Sequence, residues 1–118
     1  MNYKDLFTAE AHEKGAEMQV KGPDGKPLDM YITLVGVDSR AWRAILNESR
    51  RETLLGGDPI ETEAEGYAKA SLGWRGFEDN GKEIPFSFDA VKQLYMNAPY
   101  VKDQADAFIT SRSNFTQG

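Results

Sequence analysis

Chemistry is thinly provisioned in this chain: His12 is its only histidine and it has no cysteine. A catalytic zinc needs three or four His, Cys or carboxylate ligands, and acyl transfer needs a histidine set against a nucleophile. The sequence therefore leads us to expect neither a metal cage nor a Ser-His-Asp or Cys-His arrangement. His12 itself lies among Lys4, Asp5, Glu10, Glu13 and Lys14, which reads as a surface histidine in a mobile N-terminal stretch. Glu61, Glu63, Glu65, Asp79 and Glu83 are numerous enough to form a general acid/base pair. Each of them, however, sits at a helix start or a turn, where an acidic side chain already has a structural reason. Gly56-Gly57 is the nearest approach to a phosphate-cradling loop, but no Gly-Lys-Ser or Gly-Lys-Thr follows, and Asp58 and Glu61 would repel an anion. Asp24, Asp29 and Asp38 do not have calcium-loop spacing. No catalysis, metal or cofactor is expected.

Aromatic residues say more. Trp42 falls in a helical apolar stripe and is expected in the core. Trp74 and Phe77 lie outside any helical period, among glycines and beside Arg75 and the Asn80-Gly81 turn, a context that suits either a core plug or an exposed anchor. Trp, Tyr and Arg dominate protein interfaces, so Trp74, Arg75 and Phe77, with Tyr100, are the candidate partner-binding residues.

The elements that must position these residues follow from periodicity. Apolar and polar residues alternate over Ala16 to Val37 on both sides of Gly22-Pro23-Asp24-Gly25, which predicts a β-hairpin. Ala16, Met18 and Val20 share one face, as do Met30, Ile32 and Leu34, with Pro27 at the ladder's edge. Asp38 or Ser39 then opens a helix with Trp42, Ile45, Leu46, Ser49 and Thr53 on one side, stopped by Gly56-Gly57. A second helix is expected from Pro59, with the stripe Ile60, Ala64, Tyr67, Ala68 and Leu72. Asn80-Gly81 marks a second short hairpin or a two-armed loop. Ser87 caps a third helix with Phe88, Val91, Leu94, Tyr95 and Ala98 inward. Pro99 ends it or starts a fourth, along which Val101, Ala105, Phe108 and Ile109 recur, with Phe115 closing the pattern.

The predicted class is α+β: one domain over residues 1–118, with an N-terminal β-hairpin, room for a second short one, and about four helices. Residues 1–14 read as a mobile arm or a helical turn, and Thr116-Gln117-Gly118 as a frayed tail. A formal charge of −5 opposes phosphate neutralisation and argues against a nucleic-acid partner. Arg40, Arg43, Arg50 and Arg51 stand beside Glu48 and Glu52 and read as a solvated mixed-charge face. No stretch approaches the roughly 20 apolar residues of a membrane span, the charged N-terminus does not suit a signal peptide, and the absence of cysteine suits a reducing compartment.

Leu72-Gly73-Trp74-Arg75-Gly76-Phe77, the acidic turn with Gly81, Ile84-Pro85-Phe86-Ser87, Pro99, Val101 with Gln104, and Phe115 together resemble the C-terminal half of tail-assembly chaperones of long-tailed bacteriophages. Asp24-Gly25, a strand ending in Gly36, and Asp38-Ser39 opening a charged helix are similar to their N-terminal half. The shared features are turns, caps and core positions, with no reactive constellation among them. The resemblance implies a late protein of the host cell cytoplasm that binds the tape-measure protein, helps tail-tube subunits assemble around it, and is not retained in the mature virion. It also implies that a frameshifted, longer product can accompany a chain such as this one. Self-association through the same aromatic surface is compatible with these features. A structural head-tail connector or tail-terminator protein is the alternative, separated from the chaperone by incorporation into the virion. A small hydrolase working through carboxylates alone would need two acidic residues with raised pKa values in one apolar cleft.

Overall fold

The computed structural model describes residues 1–116; of the expected frayed tail, Gln117 and Gly118 lie outside them. After a single 3-10 turn at Tyr3–Leu6, the chain forms α1 (Ala9–Lys14), β1 (Ala16–Lys21), β2 (Pro27–Leu34), α2 (Arg40–Leu54), α3 (Pro59–Ala70), β3 (Ser71–Arg75), β4 (Glu78–Asp79), β5 (Lys82–Glu83), α4 (Phe88–Asn97), α5 (Pro99–Thr110) and α6 (Ser113–Thr116). The α+β class is as the sequence indicates, and the four expected helices are α2 to α5. Thr116, expected to be frayed, ends α6.

The hairpin pairs β1 with β2 antiparallel, Met18 opposite Ile32 and Lys21 opposite Pro27, so the proline closes the ladder where its missing N–H costs nothing. Gly25 takes φ +81°, and the Gly25 N–H donates to the Gly22 carbonyl. Ser39, not Asp38, caps α2, its Oγ accepting from Trp42 N–H at 3.0 Å. Glu13 Oε1 also accepts from the Arg40 and Ala41 N–H groups, so two side chains satisfy the free donors of this helix. Asp58 caps α3 ahead of Pro59, Ser87 caps α4, and Ala98 both ends α4 and precedes Pro99 as the first residue of α5.

Four residues lie elsewhere than the sequence leads one to expect. Leu72 does not continue the α3 stripe: the helix stops at Ala70, and Ser71–Arg75 adds as β3 to the far side of β2, giving the order β1-β2-β3. Leu72 therefore points to solvent, as alternate side chains of an edge strand do. Ile60 and Phe88 are exposed where they were expected inward; each lies in the first turn of its helix. His12 is the largest departure. It is 0% exposed, with Nδ1 accepting the Asp38 N–H at 3.0 Å and the Phe115 ring tilted against its own at 4.7 Å between centroids. Gly36 permits this approach, because a Cβ there would lie 2.2 Å from His12 Nδ1.

The core draws on every layer. Met18, Val20, Ile32 and Leu34 of the sheet join Trp42 and Ile45 of α2, Ala64 and Ala68 of α3, Val91 and Tyr95 of α4, and Val101, Ala105 and Ile109 of α5. At its centre Ser71 Oγ donates to the Tyr67 carbonyl and so accepts from the Tyr95 hydroxyl at 2.7 Å. Burial pushes the Tyr95 phenol up to about 12, keeping it neutral in that role.

Candidate protein-binding site

The four residues singled out in the sequence are not brought together as one surface. Phe77 is buried, and Trp74 is half-buried, stacked on it at 4.3 Å with the Phe86 ring edge-on at 5.5 Å. Trp74 Nε1–H donates to the Ile84 carbonyl at 2.9 Å, and the Ile84 N–H returns to the Phe77 carbonyl. This aromatic cluster fastens the root of the β4–β5 hairpin to the sheet. Gly76 lets it do so: with φ +84° and a Cβ that would fall 2.1 Å from the Asp29 carbonyl oxygen, only glycine can pass that close to β2. Arg75 is exposed but engaged, holding Glu17 through two bonds of 2.6 and 3.0 Å and lying 3.8 Å over the Tyr31 ring. Tyr100 is exposed on the first turn of α5, and no ring pairing among the described residues joins it to Trp74 or Phe77.

A different surface has the form of a binding site. Between α2 and α3 runs an apolar groove of about 310 Å³, lined by Trp42, Ile45, Leu46 and Tyr67 with small residues such as Ser49 and Gly66 at its floor. The stripe read from the α2 sequence is the α2 wall of this groove; only Trp42 and Ile45 of it are buried. The groove forms because α3 carries small residues where it faces α2: a Cβ on Gly66 would meet Ser49 Oγ at 3.3 Å and Ile45 Cγ2 at 3.5 Å. At the turn joining the two helices, Leu54, Leu55 and Ile60 are 87%, 77% and 68% exposed. Isolated exposed leucines are ordinary; three large aliphatics at one turn beside an apolar groove are a patch.

Across α3 a second depression of about 240 Å³ is lined by Ile60, Tyr95, Met96 and Pro99. Glu63 borders both depressions and is tied to Lys102. The acidic residues of α3 thus serve as helix-to-helix ties: Glu61 and Glu65 both accept from Lys92, at 2.8 and 3.0 Å, which raises that amine to about 12. Among the described residues no group of three or more His, Cys, Asp or Glu could hold a metal ion.

No family model, curated protein or solved structure matches this chain. The groove's chemistry therefore has to be read from its own walls. It offers flat aromatic and aliphatic area, with Glu63 as its one charged lining residue, and that residue is already paired. Such a surface binds apolar side chains without demanding a particular hydrogen-bonding partner. Sequence reasoning missed it because periodicity identifies an apolar face without saying how fully a neighbour covers it. The available signal was the pair of small residues Thr62 and Gly66, four apart on α3, which leaves the α2 stripe incompletely covered.

Proposed function

We propose that this protein is a tail-assembly chaperone of a long-tailed bacteriophage, acting in the host cytoplasm on apolar segments of a tape-measure protein so that tail-tube subunits can assemble around it. The α2–α3 groove lined by Trp42, Ile45, Leu46 and Tyr67 carries this reading, with exposed Leu54, Leu55 and Ile60 near the turn that joins its two helices. A chaperone of a long helical partner must shield apolar side chains of varied sequence, and a helix laid in such a groove presents residues at i, i+3, i+4 and i+7 to it. The resemblance in turns, caps and core positions supports the same class, and so does the employment of the α3 carboxylates as structural ties. Trp74 and Phe77 enter this function by holding the sheet and hairpin in place, while Tyr100, next to Pro99, adds exposed aromatic area beyond the second depression.

Co-expression with the tape-measure protein of the same phage tests the proposal. Leu46→Asp combined with Ile60→Asp places one charge on the groove's lining and one on the neighbouring aliphatic patch, where both side chains are exposed and the fold should lose less than ~1 kcal/mol. Soluble tape-measure protein and the complex on a sizing column should both be lost. Retention of the complex by this double variant would refute the groove as the binding site, and recovery of the protein in purified virions would favour a structural tail or connector component.

A further inference from the structure

The basic residues of α2 gather along one exposed side of the helix, with Glu48 and Glu52 beside Arg51 at its edge. At 100° per residue, Arg40, Arg43, Asn47, Arg50, Arg51 and Leu54 fall within a wedge of about 100°, on the side opposite buried Trp42 and Ile45. Glu48 is drawn to Lys69 of α3 at 3.1 Å. None of the four arginines has a carboxylate within 4.0 Å among the described residues, although the chain carries a formal charge of −5. Every one of them is exposed.

The opposite sign is stranded elsewhere. Every residue of the β4–β5 hairpin from Glu78 to Glu83 is exposed, and Glu78 faces Glu83 directly across the two-stranded ladder. Like charges opposed in this way destabilise a strand pair. Asp79 sits beside them, and no lysine or arginine pairs with any of the three among the described residues. A guanidinium placed between Glu78 and Glu83 would relieve their repulsion and donate to both carboxylates from its fork of N–H groups.

We infer that the arginine stripe of α2 is a docking surface for the acidic β4–β5 hairpin of a second copy of this chain. The two surfaces are different patches of the same molecule, so the contact is heterologous: each copy offers one hairpin and one stripe, and repetition gives a ring or an open filament. The stripe suits the hairpin in scale as well as charge. Arg43 and Arg50 are separated by about 10 Å along the helix axis, close to the breadth of a two-stranded ribbon with its side chains. The contact leaves the α2–α3 groove free, because the stripe lies on the other side of α2, and it stands whether or not the groove binds a tape-measure protein.

Sedimentation of the full chain in ~50 mM and ~500 mM salt tests this. The wild type should associate with increasing concentration and weaken about tenfold or more at the higher salt. Arg43→Glu with Arg50→Glu, and separately Glu78→Lys with Glu83→Lys, should each give a folded monomer by circular dichroism, since all four positions are exposed. Mixed together, the two variants should associate in alternation, because the unchanged hairpin of the first meets the unchanged stripe of the second and reversed stripe meets reversed hairpin. The Leu46→Asp, Ile60→Asp protein should associate like the wild type. A wild type that stays monomeric at low salt, association unchanged in either charge-reversed protein, or failure of the mixture to associate overturns the inference. So does a monomeric wild type that binds a DNA duplex through Arg43 and Arg50, an outcome that would assign the stripe to a nucleic acid.

Discussion

Trp74 illustrates how much a single residue's role depends on what lies over it. Its ring is packed between Phe77 and Phe86 and its N–H is used by Ile84, so truncation removes a stack and leaves a buried-side carbonyl without its donor. Trp74→Ala is expected to lower stability by about 3 kcal/mol, seen as a lower urea midpoint, with amide exchange accelerated first in the β4–β5 hairpin. An unchanged midpoint would mean that the ring is dispensable to the fold. His12 teaches the same lesson in reverse. Its charged neighbours suggest exposure, yet Gly36 and Phe115 enclose the ring, and its Nδ1 serves as an acceptor for the backbone that leads into α2.

At the level of elements, α2 is a helix with two working faces. One side supplies Trp42 and Ile45 to the core and the wall of the groove, and the other presents the arginines, so the same 3.6-residue period separates an apolar surface from a basic one. Helix α4 shows how local chemistry fixes a boundary. Ser87 Oγ accepts from the Ala90 N–H at 3.0 Å, and Asp89 in the first turn complements the helix dipole. Ser87→Ala should cost on the order of 1 kcal/mol, measured by chemical denaturation. Because Ser87 is exposed, water can replace part of the lost bond, and the value should fall toward the lower end of cap substitutions. A midpoint indistinguishable from the wild type would mean that the Ser87 hydroxyl contributes nothing to the start of α4.

Across the whole molecule, Asp38 joins the two ends of the chain. Its carboxylate accepts from Arg112 Nε and Nη2 at 2.8 and 3.0 Å and from the Thr8 hydroxyl at 2.6 Å, so the segments before α1 and α6 meet at one side chain beside the start of α2. The Arg112 guanidinium first, and the Thr8 hydroxyl second, hold this carboxyl at about 2, below its ordinary 3.8. A depressed carboxyl stabilises the fold at pH values above its unfolded pKa and ceases to do so as pH falls through the folded one. The contribution should be complete above about pH 5 and fade toward pH 2, at about 1–2 kcal/mol once the exposure of Arg112 is allowed for. Urea midpoints of the wild type and of Asp38→Asn should therefore differ at neutral pH and converge in acid; a constant difference across that range would refute the assignment. The radius of gyration, 15.0 Å, exceeds the roughly 13 Å expected of a compact chain of this length, consistent with exposed segments at the N-terminus and the β4–β5 hairpin.

By itself the sequence determined the class of the protein and most of its elements. Alternation over Ala16 to Val37, the Gly22-Pro23-Asp24-Gly25 turn, the Ser39 and Ser87 caps and the proline-opened helices are local features, set by backbone sterics and by hydrogen bonds spanning a few residues. Tertiary structure decided what those elements meet. Ser71–Arg75 became a third strand because β2 had an open edge, which no local pattern records. Phe77 went inside and Leu72 outside because β3 lies against the sheet rather than extending α3. The arginines of α2 are left without a paired carboxylate among the described residues, Glu48 having found Lys69 on another helix. Burial and charge pairing are relations between segments distant in the chain, so they are settled only when the elements pack.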